Sequence, residues 1–174
     1  MILQHLNKQQ IQEAKANEAN LPKKLTLDVS GNLYKNRLGG CIGEVAASAY
    51  LESQLQHDFE FDLIYNGHKI DVKTIIRSVR PMAHYACRIT IHRHIQDCDI
   101  YLFACAVHKD RCFYPSAYLC GWASKQDVEQ WETVKKGDPW PEAPNKKERS
   151  DAYKSTYSAL RPIQDLKNIQ RHGS

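Results

Sequence analysis

A chain of 174 residues and 20.0 kDa fits one domain with room for a sizeable core. Apolar residues are 42% and charged residues 25%, the balance of an ordinary globular protein, and no apolar run approaches the ~20 residues that span a bilayer. The net charge of +4 and a pI near 8.7 permit nucleic acid as a partner without arguing for it.

Six cysteines, Cys41, Cys87, Cys98, Cys105, Cys112 and Cys120, include no C-x-x-C pair of zinc-site spacing. The opening "MILQHLNKQQ" lacks the basic and long apolar regions of a secretory signal. Reduced, structural thiols in a cytoplasmic protein are therefore expected.

In chain order, residues 1–20 are rich in helix formers and read as a peripheral helix. "LPKKLTLDVSGN" is a connector ending in turn chemistry. In "RLGGCIGEVAASAYLESQL" the glycines loosen the start. From about Ile42 the apolar positions Ile42, Val45, Ala46, Ala49 and Tyr50 recur at helical spacing. A hairpin over 58–75 comes next, then a basic connector and the alternating strand "ACRITIH". "DIYLFACAVH" is a nearly continuous apolar run, as in a central strand covered on both faces. "RCFYPSAYLCGW" is a further strand, with Pro115 marking an edge or a bulge. Ser124 is placed as N-cap of a helix over "SKQDVEQWETV", with Asp127 in its first turns. Residues 135–150 read as a long exposed loop and the tail as partly helical, broken at Pro162. The predicted fold is α/β: a single domain with a mixed central sheet of about five strands flanked by helices. Its core covers about 36–133, and the N-terminal helix 1–20 and the extension 135–174 are peripheral.

The hairpin "DFEFDLIYNGHKIDVKTI" is organised by Asn66-Gly67, the strongest short-range hairpin signal. A two-residue turn there pairs Tyr65 with His68, Ile64 with Lys69, Leu63 with Ile70, and Asp62 with Asp71. Opposed residues share a face, so Phe59, Phe61, Leu63, Ile70 and Val72 make a core face. Glu60, Asp62, Ile64, Lys69, Asp71 and Lys73 make the other. That face is either a solvated surface with Glu60–Lys73 type salt bridges or a cation site. Two directly opposed carboxylates repel, and a divalent cation between them would remove the conflict.

Together with the helix "GCIGEVA", the segment "FDLIYNGHKIDVKT" resembles the PD-(D/E)XK nuclease superfamily, whose pattern is a helix glutamate, an aspartate on one hairpin strand, and (D/E)-x-K on the next. The resemblance covers roughly 36–130, with Phe61 where the family often has proline. It implies the restriction-endonuclease-like fold and a Mg²⁺-dependent nuclease, most simply an endonuclease, acting on DNA. Mn²⁺ would substitute for Mg²⁺. The resemblance assigns Asp62, Asp71 and the Val72 carbonyl as metal ligands, with Glu44 on a second metal or a metal-bound water, and it assigns Lys73 to orienting water or stabilising charge. The alternative on the same fold is a catalytically inactive module that binds nucleic acid or a protein. A homodimer is allowed, and no membrane association is expected.

Lesser signals are Lys69, Arg77 and Arg80 as candidate phosphate contacts. His92 and His94, at strand spacing, form a candidate metal pair, and His84 an isolated candidate base. Trp122, Trp131 and Trp140 are expected as core or loop anchors rather than stacking platforms.

Overall fold

The computed structural model describes residues 1–21, 33–56, 60–140 and 143–170. Its centre is a five-stranded mixed sheet of order β1-β6-β5-β3-β2, formed by β1 (Ile2–His5), β2 (Leu63–Tyr65), β3 (His68–Arg77), β5 (Ile100–Lys109) and β6 (Cys112–Ser124). The helices α1 (Lys8–Asn20) and α2 (Leu33–Leu51) cover one face. A three-stranded sheet covers the other, ordered β4 (Ala86–Thr90), β10 (Ala152–Thr156), β7 (Glu132–Val134). Short pieces complete the chain: α3 (Ile91–His94), α4 (Lys125–Glu129), the β8 (Pro139–Trp140) and β9 (Ala143–Lys147) pair, and α5 (Ile163–Leu166). The α/β class and the five-stranded mixed sheet agree with the expectation from the sequence.

β5 shows why its sequence is apolar throughout. It lies between β6, antiparallel, and β3, parallel. Its alternate residues Ile100, Leu102, Ala104 and Ala106 join the core under α2. Tyr101, Phe103 and Cys105 join a second core with Cys87 and Ile89 of β4. A strand with two buried faces has no polar parity to display. Pro115 sits where β5 and β6 lose register, between the Ala106–Ala117 and His108–Phe113 pairs, so it occupies a bulge.

Several expected elements come out differently. Ile2–His5 is a strand paired with β6, and the helix starts only at Lys8, where Asn7 and Gln10 form a capping box. α2 begins at Leu33 and runs through three glycines. Packing overrides propensity there: a Cβ on Gly39 would lie 2.5 Å from Ile76 Cδ1, and one on Gly43 1.9 Å from Thr74 Oγ1. The glycines allow α2 to sit directly on β3. Residues 135–150, expected as a loop, supply β8 and β9. The tail supplies β10 before its expected helical pieces, a 3-10 turn at Tyr157–Ala159 and α5 after Pro162. Ser124 caps a helix that ends at Glu129, with β7 beyond it. β10 pairs with β4 on one side and β7 on the other. Glu148, 3% exposed, anchors this layer through ion pairs with Arg88 and Lys154.

Five of the six cysteines are buried, Cys112 is exposed, and all are free thiols. Burial pushes the Cys41, Cys87 and Cys120 thiols up to about 12, which keeps them protonated and inert. No helix among the described residues is long and apolar enough to cross a membrane.

Candidate active site

Asn66 (φ 49°) and Gly67 (φ 79°) both adopt the left-handed conformation that a two-residue hairpin turn requires. The Leu63–Ile70, Ile64–Lys69 and Tyr65–His68 pairs then follow in the predicted register. Regular pairing stops at Leu63. The Asp62 N–H donates to the Ile70 carbonyl at 2.9 Å, although Ile70 is already the partner of Leu63. Two residues thus face one, as in a bulge.

The bulge corrects two expectations. Asp62 leaves the direct opposition to Asp71, and its Oδ2 accepts a hydrogen bond from the Val72 N–H at 2.7 Å. Phe61 changes face. Instead of joining Leu63, it packs with the Tyr101–Phe103 core, with Lys69 Nζ 5.4 Å from its ring. Phe59, also assigned to the core face, lies outside the described residues.

Asp71 and Lys73 share the β3 face directed away from α2. Asp71 is 5% exposed, and its Oδ2 is ion-paired with Lys73 Nζ. Lys73 also lies 3.4 Å from Gln96 Oε1 and 5.9 Å from the Tyr101 ring centre. Glu44 belongs to α2, one residue beyond the Gly43 contact with β3. Its Oε1 folds back over the preceding turn, 3.7 Å from where a Gly40 Cβ would stand. Burial, then the charge of Asp71, pushes the Glu44 carboxyl up to about 7, against the pull of Lys73. Asp62 is raised well above the ordinary range by burial, then by Glu44 and Asp71. The four residues singled out in the sequence are therefore one electrostatic unit, brought together from a helix, a bulge and a strand.

The donors suit a hard divalent cation. They are carboxylate oxygens, and the charge of Asp71 disfavours ionisation of Glu44 and Asp62. They are not gathered as a preformed cage. Among the described residues no group of three His, Cys, Asp or Glu side chains is placed to hold a metal. Asp71 is held by Lys73 and Asp62 by a backbone N–H instead. The Glu60–Lys73 pair expected for a solvated face is not formed; Glu60 accepts from the Asp97 N–H at 2.9 Å.

The lesser candidates are scattered. Lys69 is ion-paired with Asp97. Arg77 lays its guanidinium 4.2 Å from the Tyr85 ring, and Arg80 lies 5.8 Å from Tyr118. His92 and His94 are not a pair on a strand, because the chain turns helical at Ile91. His94 is buried, with Nδ1 3.2 Å from the Tyr101 hydroxyl and Nε2 3.2 Å from Glu129 Oε1, while His92 is exposed. His84 is exposed beside Tyr85. Trp122 anchors the tail, donating from Nε1 to the Pro162 carbonyl, and Trp131 packs against Phe103. Trp140 lies under Arg88.

Sequence reading missed Gln96 and the Tyr101–His94–Glu129 chain beneath the site. A tyrosine hydroxyl inside a doubly covered strand must find a buried partner, and that signal was present at Tyr101. Gln96 gave none, since its contact with Lys73 depends on how the 91–99 segment folds back.

Comparison of the chain with protein-family models, with curated proteins and with solved structures gives no match.

Proposed function

We propose that this protein is a Mg²⁺-dependent nuclease of the PD-(D/E)XK kind, an endonuclease that hydrolyses DNA phosphodiester bonds. The observation that supports this best is the Asp71–Lys73 ion pair with Glu44 and Asp62 electrostatically linked to both of its members. Two buried carboxyls, Glu44 and Asp62, whose ionisation burial and the Asp71 charge disfavour beside one lysine, are costly to a fold and useful to a cation site. A bound Mg²⁺ would polarise the scissile phosphate and acidify a water. Asp62, Asp71 and the Val72 carbonyl would hold it, and Glu44 would face a second ion or an ordered water. With Asp71 engaged by a cation, Lys73 would be free of its present ion pair to orient the attacking water and to stabilise negative charge on the phosphate. Gln96, whose Oε1 lies 3.4 Å from Lys73 Nζ, would keep that ammonium over the site.

The test is Mg²⁺-dependent digestion of linear, closed circular, single-stranded and four-way-junction DNA by the wild type and by Asp71→Asn. Nicking of circular DNA that is lost in the variant is expected. Binding without cleavage would replace the proposal by the inactive module.

Two smaller predictions arise here. Gln96→Leu should lower cleavage about tenfold, at the modest end of what supporting partners of a site contribute, with an unchanged melting temperature. The second concerns pH in EDTA. Glu44 has a folded-state pKa raised from 4.5 to about 7, so in that interval the folded state binds more protons than the unfolded state. Stability from this group is complete below about pH 4.5 and is lost as pH rises through about 7. Asp62 acts with the same sign. The gain in melting temperature on adding Mg²⁺ should therefore be small at the acid end and largest above neutrality. A gain independent of pH would separate the cation from these carboxylates.

A further inference from the structure

A hollow of about 360 Å³ opens between α1, the start of α2 and the β5–β6 turn. Leu38 and Ile42 form its floor. At 100° per residue they lie on a different flank of α2 from Gly40 and Glu44, so the hollow is separate from the candidate active site. Its walls combine two chemistries. Tyr34, Phe113 and Tyr114 present rings, with Tyr34 61% and Tyr114 46% exposed. Lys15, Lys35 and Arg111 present cations, and among the described residues none of the three makes an ion pair and no acidic side chain lines the hollow.

The turn that carries Arg111 adds an independent observation. Lys109 pairs with Cys112, so Asp110 and Arg111 are the two central residues of the turn, and both are left-handed, with φ of 51° and 64°. The equivalent turn at Asn66-Gly67 uses glycine at the second position. Here an arginine occupies it, in a backbone conformation unfavourable for a long side chain. That choice places a guanidinium at the rim of the hollow.

We infer that this hollow binds single-stranded nucleic acid, with bases against Tyr34 and Tyr114 and phosphates on Lys15, Lys35 and Arg111. Rings and unpaired cations side by side are what a single strand requires, and stacking on open rings accepts any base. The exposure of Tyr34 and Tyr114 favours a strand running across the mouth over an enclosed free nucleotide. Strand binding here does not depend on cleavage.

The experiment measures anisotropy of a short fluorescein-labelled oligodeoxythymidylate in EDTA, which stops metal-dependent cleavage. Tyr114→Ala should weaken binding about 5- to 100-fold. Arg111→Gly should weaken it and reduce the slope of log affinity against log salt by about 0.7. Because glycine relieves the left-handed strain, Arg111→Gly should melt no lower than wild type, so its weaker binding cannot be ascribed to unfolding. Affinity unchanged in both hollow variants, or no binding at all, overturns the inference even if the protein cuts DNA. Equal binding of duplex or of free dTMP overturns the strand assignment, and equal displacement of the probe by polyglutamate overturns the nucleic-acid assignment. Loss of oligonucleotide binding in the hollow variants sustains the inference even if the wild type never cleaves.

Discussion

Replacing Lys73 with alanine should reduce Mg²⁺-dependent DNA cleavage by about 10²–10³-fold, the usual effect of removing one preorganised donor that stabilises charge in a transition state. Arginine should not restore it. A planar guanidinium cannot reproduce a compact ammonium held between the buried Asp71 carboxylate and Gln96 Oε1. The same substitution has a thermal signature that separates chemistry from folding. Without Lys73, Asp71 stays buried with no compensating charge, so the metal-free variant should melt lower than wild type. Added Mg²⁺ should then raise the melting temperature more than in wild type, because the ammonium no longer competes for Asp71. A variant that recovers its stability with Mg²⁺ but not its cleavage identifies a catalytic lysine. Wild-type cleavage by Lys73→Ala, with contaminating nuclease excluded, removes the basis of the proposed function.

The second large effect is expected at a residue that takes no part in chemistry. Gly43→Ala would place a Cβ 1.9 Å from Thr74 Oγ1 and 3.0 Å from Thr74 Cβ, a distance no packed pair sustains. α2 must rise off β3, at a cost of about 1–3 kcal/mol. Glu44 is the next residue along α2 and Lys73 the next along β3, so the displacement also opens the site. A shift on the order of 1 Å at reacting groups is worth about 10²-fold in rate. Gly40→Ala is the internal control. Its Cβ would meet only Glu44 Oε1 at 3.7 Å, an ordinary contact, and alanine improves a helix interior by about 0.5–1 kcal/mol. Two glycine-to-alanine changes three positions apart should therefore move stability in opposite directions in urea titrations. Thr74→Ala should recover part of the Gly43→Ala loss. A neutral Gly43→Ala would mean that α2 and β3 are less closely apposed than described.

What could be read from the sequence follows the range of the forces involved. The Asn66-Gly67 turn is a local backbone preference, and the three pairs it sets were legible to the residue. The apolar run of β5 was legible because both of its faces are buried. Glu44, Asp71 and Lys73 were found by pattern, and Asp62 was found with the wrong neighbour, because alternation cannot announce the residue at which a bulge resets it. The start of α2 was hidden by its glycines, whose low helix propensity is overcome by contact with Thr74 and Ile76. β10 was hidden because "AYKST" is short and half polar, and its pairing partners are distant in sequence.

That last strand has a consequence for how the molecule is made. When synthesis has passed Ser124, every strand of the five-stranded sheet exists, and so do Glu44, Asp62, Asp71 and Lys73. Tyr101, Phe103 and Cys105 still lack the β7 and β10 part of their cover, because β10 ends only at Thr156. The nascent chain thus holds all four residues of the candidate site on a sheet with one incompletely covered aromatic face. Shortened forms that stop before β10 should accumulate as aggregates rather than as small active enzymes.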